Sequence, residues 1–182
     1  MKILKLGTRG SALALKQAEM TEAVLAEVFP ELEVERIIIK TTGDRRTDVA
    51  LKEVAKSEGI WDKGVFIKEL EVALESGQID VAVHSLKDLP TVLEDPFQLR
   101  AVLERAPVAD AWIGKIPWSE VKNGSRVGTS SVRRERQVKF LKPGAKVADL
   151  RGNVPTRIKK AALDTDYDGI ILAEAGLNRL GY

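Results

Sequence analysis

Apolar and polar positions change period repeatedly along this chain, and the changes mark alternating strands and helices. Residues 2–6 read as a first strand. From 11 to 28, Leu13, Ala14, Ala18, Val24, Leu25 and Val28 recur at roughly helical spacing, with Ser11 suited to cap the start and Pro30 beyond the end. Residues 33–40 alternate and then run Ile37, Ile38, Ile39, which predicts a largely buried strand and completes a β-α-β unit. The stretch 42–64 is polar and weakly periodic, with Gly43, Asp44, Arg45, Arg46, Gly59 and Gly64, and a connection this long points to a functional lid. An amphipathic helix follows over 65–76, closed by Gly77, and 80–83 form a short strand.

Another strand is expected at 99–103 between Pro96 and Pro107, and a domain boundary is placed beside it, giving domains 1–98 and 99–182. Beyond it, strands at 111–114, 126–128, 146–150 and 169–173 alternate with helices at 131–141 and 154–163. The expected fold class is therefore α/β, with mainly parallel sheets and flanking helices. Ligands of such sheets bind beyond the carboxyl ends of the strands, and two lobes of this kind would enclose an interdomain cleft.

Composition removes many alternatives. Lys and Arg number 29 against 27 Asp and Glu, a formal charge of +2, so nothing in the bulk charge draws the chain to nucleic acid or acidic membranes. Aromatics are 5% of residues and are not interleaved with the basic motifs, so stacking platforms for bases are lacking. With no cysteine and one histidine, disulfides and thiolate metal sites are excluded and an imidazole metal site is disfavoured, so no metal is expected. Neither a signal-peptide core nor a run approaching the ~20 apolar residues of a membrane span occurs, so a cytoplasmic protein is expected. No Walker sequence, GxGxxG or recognisable carboxylate pair is present, which argues against nucleotide hydrolysis, dinucleotide binding and glycosidase chemistry.

Candidate chemistry gathers where strands end. HSLKDLP (residues 84–90) sets Asp88 beside Lys87. GTSSVRR (128–134) supplies Thr129, Ser130 and Ser131 at a turn, followed by Arg133 and Arg134 in the first turn of a helix. LRGNVPTR (150–157) has Asn153 as a cap and Pro155 in the first turn, flanked by Arg151 and Arg157. Cations at a helix start oppose the helix dipole by about 0.3 to 1 kcal/mol each, a cost that a bound anion reverses, and Glu135 cannot neutralise both neighbouring arginines. GTRGS places Arg9 and Ser11 at the start of the first helix. Each motif also has a plain reading: a capping serine or asparagine with solvated arginines, a turn aspartate before Pro90, and a structural, hydrogen-bonded His84. Taken together they describe an anion pocket with one acid inside, and a carboxylate among arginines is expected to stay ionised.

Six segments, GTRGSALAL, DKGVFIKELEVAL, DVAVHSLKDLP, VGTSSVRRERQ, LRGNVPTR and DGIILAEAGLNRLG, occur in the order found in the porphobilinogen deaminase (hydroxymethylbilane synthase) family of tetrapyrrole and haem biosynthesis, which the chain resembles over its whole length. The resemblance implies a monomeric transferase with two lobes like those of type II periplasmic binding proteins. Such an enzyme joins four porphobilinogen units head to tail, with release of ammonia, on a covalently held dipyrromethane cofactor. It further implies that Asp88 is the catalytic acid and that Lys87, Thr129, Ser130, Ser131, Arg133 and Arg134 bind the cofactor carboxylates. Arg9, Ser11, Lys63, Phe66, Arg151, Asn153, Arg157 and Arg179 would hold porphobilinogen or the growing pyrrole chain, a polyanion whose deaminated unit is cationic.

The chain departs from the family in three respects. The third domain, with the cysteine that anchors dipyrromethane, and the later segment that completes the first domain's sheet are both lacking, so the chain is expected to be an inactive N-terminal part. It would be a cut-down form, a truncated gene product or one half of a split protein whose partner supplies a C-terminal domain. Ile60, Trp61 and Asp62 stand where the family has a glycine pair before Lys63, altering the loop that also holds Lys56. The competing reading is a non-catalytic module that binds carboxylates in the same cleft and is indifferent to Asp88.

Overall fold

The structure, a computed structural model, describes residues 3–45, 66–164 and 166–182, without the side chains of Asp44 and Arg45. The chain divides into two compact units, Met1–Arg105 and Ala106–Tyr182. Each is α/β with mainly parallel strands, as the alternating pattern predicts.

In the first unit, β1 (Ile3–Thr8), α1 (Ala12–Val28), β2 (Glu33–Ile38), α2 (Thr42–Arg45), α3 (Lys68–Glu75) and β3 (Val81–Ala82) follow in order. The sheet order is β2-β1-β3, with both pairings parallel. Ser11 caps α1 as expected, its hydroxyl accepting from Ala14 N at 3.3 Å. Helix α3 starts three residues later than the periodicity placed it and is followed, after its cap Ser76, by Gly77, whose φ of 70° suits a residue without Cβ. Leu70 and Ala73 of α3 pack with Ile79 in a small core beneath the strands. Gly7 permits that approach: a Cβ there would lie 2.3 Å from Ile79 Cδ1.

Two expectations fail in this unit. Leu99 to Leu103 form no strand; Leu99 and Val102 are exposed, and β propensity without a neighbouring strand to complete the hydrogen bonds does not make one. Strand β2 is not largely buried. Its residues alternate, Ile37 half-covered and Ile38 54% exposed, as on an edge strand with one open face.

The second unit contains β4 (Asp110–Gly114), β5 (Arg126–Gly128), α4 (Val132–Leu141), β6 (Lys146–Ala148), α5 (Val154–Leu163), β7 (Gly169–Ala173) and α6 (Glu174–Leu180). Its four-stranded sheet has the order β4-β7-β5-β6, and only β4 runs antiparallel to its neighbour. The run GIILA of β7 shows why this sheet closes well. Ile170 and Leu172 face a core with Leu150, Ala161 and Leu177, while Ile171 packs on the opposite cluster of Val121, Val127, Val138 and Ala145. Burying one such side chain contributes about 1.5 to 3 kcal/mol. Trp112 and Trp118 meet edge-on over the second cluster, their ring centroids 5.3 Å apart. Helix α6, absent from the sequence expectation, ends on Gly181 at φ 76°.

Candidate functional site

Parallel pairing of β1 with β3 brings the first set of candidates to one sheet end. Gly7 pairs with Ala82, and Val83 N donates to Gly7 O at 2.9 Å, so Arg9 and His84 follow from adjacent strand ends. The Arg9 guanidinium carbon lies 4.1 Å from the centroid of the Phe66 ring, a cation-π contact. Burial, with Arg9 as a second cause, pulls His84 down to about 4, so its imidazole is neutral at pH 7. Ser85 Oγ donates to Gln17 Oε1 at 2.8 Å and ties the HSLKDLP segment to α1. A 3-10 turn over Leu86–Asp88 follows, closed by Asp88 N donating to Ser85 O at 2.8 Å, with Lys87 exposed and Asp88 half-buried. Ser11 spends its oxygen on the helix cap. Lys63, Lys56 and most of the expected lid lie outside the described residues.

In the second unit, two loops leave adjacent parallel strands and are stitched together. Ser130 Oγ donates to Leu150 O at 2.6 Å and accepts from Leu150 N at 3.1 Å. Thr129 is buried, and its Oγ1 accepts from Ser131 N at 3.2 Å. Ser131 caps α4, accepting from Arg134 N at 3.5 Å, and Asn153 caps α5, accepting from Thr156 N at 3.0 Å. Arg157 Nε donates to Gly152 O at 2.6 Å. These hydroxyls and amides shape the loops before they can serve a ligand.

Arg133 and Arg134 share an acid from within the unit. Asp110 accepts from Arg134 at 2.7 and 3.0 Å and from Arg133 at 2.7 Å. Glu135 instead pairs with Lys139 at 2.6 Å. Burial pushes the Asp110 carboxyl up, but hydrogen bonds from Arg134 and Arg133 outweigh it and hold the group below the usual carboxylate range. Asp110 escaped the sequence reading because its partners lie 23 and 24 residues away. The available signal was an acid opening an apolar strand.

Arg151 and Arg179 behave differently. Arg151 Nη1 and Arg179 Nε are buried without a hydrogen-bond partner among the described residues. A buried donor left unmatched costs about 1 to 3 kcal/mol, more for a charged group.

Residues 4–182 match the family model described as porphobilinogen deaminase, dipyromethane cofactor binding domain. The chain belongs to the porphobilinogen deaminase family. It is 46% identical over 183 residues to the porphobilinogen deaminase of Syntrophomonas wolfei, aligning all of this chain with 58% of that protein. It is also 47% identical over 184 residues to that of Xylella fastidiosa, again covering 100% and 58%. The chain thus spans little more than half the length of these relatives. A crystal structure of the methionine binding protein MetQ aligns with 99% of this chain and 74% of its own, at 15% identity and a TM-score of 0.47.

The matched domain is the one that binds dipyrromethane in this family, and the donor types present suit a group with several carboxylates: Arg133 is exposed at the start of α4, and Arg151 and Arg157 flank the start of α5. No cysteine is available in the chain to anchor it.

Proposed function

We propose that this chain carries the pyrrole-binding lobes of a cytoplasmic, monomeric porphobilinogen deaminase. The complete enzyme would condense four porphobilinogen molecules into hydroxymethylbilane. At each addition the C–N bond of an aminomethyl group breaks, ammonia leaves, a carbon–carbon bond forms between its methylene and the end pyrrole of the growing chain, and that pyrrole carbon gives up its proton. At the end the bond to the held pyrrole pair breaks, that pair regains a proton, and water supplies the hydroxyl of the product. The observation that carries this reading is that Arg151 and Arg179 each hold a guanidinium donor unmatched among the described residues, in a family whose substrate is a polycarboxylate.

Asp88 would balance positive charge on the pyrrole nitrogen during ammonia loss. The neutral His84 beside Arg9 adds no competing cation there. Lys87, Thr129, Ser130, Ser131, Arg133 and Arg134 would hold the cofactor carboxylates. Arg9, Ser11, Lys63, Phe66, Arg151, Asn153, Arg157 and Arg179 would hold the incoming or adjacent ring. Dipyrromethane, when bound, supplies the covalently held pyrrole pair from which the chain is extended. A cysteine-bearing third domain would provide its anchor, and a further segment would extend the first unit's three-stranded sheet.

Incubation with porphobilinogen tests both parts. This chain alone should form no hydroxymethylbilane, and a full-length form should lose turnover with Asp88→Ala while keeping its circular dichroism. Turnover by the chain alone contradicts the need for an anchor; turnover that survives Asp88→Ala favours a carboxylate-binding module.

A further inference from the structure

Building on the pyrrole-acid reading above, we infer that Asp110 is a positioning residue that holds Arg133 and Arg134 as one oriented pair for a polycarboxylate ligand. Strand direction puts it there. Because β4 runs antiparallel to β7, with Asp110 opposite Ala173, the first residue of β4 stands at the sheet end where β5, β6 and β7 finish. Helix α4 begins at the same end with its two arginines.

One carboxylate then serves both. Asp110 Oδ1 accepts from Arg134 Nε and Nη2, and Oδ2 accepts from Arg133 Nη2. Arg134 is 8% exposed and also donates from Nη1 to Ile171 O at 3.2 Å, so each of its three guanidinium nitrogens donates once within the unit and one N–H remains on each Nη. Arg133 has a side chain 59% exposed, is steadied by Gln137 at 2.8 Å, and keeps donors for a ligand. Arg134 is thus the fixed strut and Arg133 the accessible arm.

Two adjacent cations at a helix start repel each other and oppose the dipole. A single acid between them removes one charge of the two, leaves a net positive site, and takes away rotamer freedom that a free arginine would lose only on binding. The consequence is selectivity. An oriented guanidinium pair distinguishes a ligand with several spaced carboxylates from a small anion, which any exposed cation can attract.

Isothermal titration with a synthetic dipyrromethane bearing two acetates and two propionates, and separately with inorganic phosphate, tests this. For Asp110→Asn the dipyrromethane Kd should rise about tenfold, equivalent to ~1.4 kcal/mol, while phosphate binds equally or more tightly because net positive charge increases. If both ligands bind more tightly, Asp110 is an electrostatic brake and the proposal is overturned. If only the fraction of competent sites falls, with both Kd values unchanged, its role is structural and the proposal is likewise overturned. Should Asp110→Asn lose its circular dichroism, Asp110→Glu keeps the charge but displaces the fork, and an about threefold loss for dipyrromethane alone is expected; unchanged selectivity overturns the proposal. A parent chain that does not bind dipyrromethane overturns the pyrrole-acid reading and this proposal with it, whereas a parent that binds and variants of equal selectivity overturn this proposal alone.

Discussion

In the first unit the cation at the strand end, Arg9, lies over an aromatic ring, and its neighbour His84 is kept neutral; in the second, Arg133 and Arg134 are fixed by an acid from another strand. The sheets differ in the same sense. Both faces of β7 are covered, by Ile170 and Leu172 on one side and Ile171 on the other, whereas β2 leaves Ile38 in the open. Val24 and Val28 on α1, and Val72 on α3, are exposed as well. The contrast is one of sheets: β7 is closed on both faces by its own unit, β2 is not, while apolar side chains lie open in both units, Phe140 83% and Leu163 71% exposed in the second. The supports of the two units should respond to mutation unequally.

The largest effect should come from Asp110→Asn, which strands a buried guanidinium and is expected to cost about 3 to 5 kcal/mol in denaturant unfolding of the second unit. Removing the corresponding support in the first unit, Phe66→Ala beneath Arg9, should cost less; the reverse order would break the contrast. Next, Ile170→Ala should destabilise by about 2 to 5 kcal/mol, whereas Ile38→Ala, the same residue type on an open strand face, should stay within about 0.5 kcal/mol. Equal losses would show that β2 is covered in solution.

Acid should affect the units in separate windows. His84 binds its proton less well folded than unfolded, so stability is full above pH 6.5, falls as pH drops from 6.5 to about 4, and is then spent. The loss amounts to roughly 3 kcal/mol at most. Asp110 acts lower, its contribution present above pH 3.8 and lost as pH falls below that value. Melting temperature against pH should show both, and His84→Gln should flatten only the upper window. Small as well, Ser11→Ala should cost about 1 kcal/mol, the ordinary value of a helix cap, and so should Asn153→Ala. A much larger loss at Asn153 would mean that the cap also organises the Arg151 loop.

Local signals were legible in the sequence, and non-local ones were not. The bounds of β5, α5 and β7 follow directly from periodicity, and Ser11 and Asn153 cap as their side-chain chemistry predicts. The strand expected near Leu99 fails because a strand exists only with a partner, and Ile38 misleads because three successive isoleucines do not reveal which face has a neighbour. The expectation of anion sites at the strand-end motifs rests on residue type alone. What could not be read was that Asp110 had already claimed two of the arginines, since antiparallel pairing across the sheet creates that contact.

Central to the proposal is that Arg151, before the start of α5, and Arg179, in the last turn of α6, hold pyrrole carboxylates through donors unmatched among the described residues. Titrating the chain with the tetracarboxylate dipyrromethane, beside Arg151→Gln and Arg179→Gln, tests it most directly. Saturable one-to-one binding, weakened about tenfold by each substitution, is the expected result. Absence of binding, or affinity indifferent to both substitutions, would contradict it.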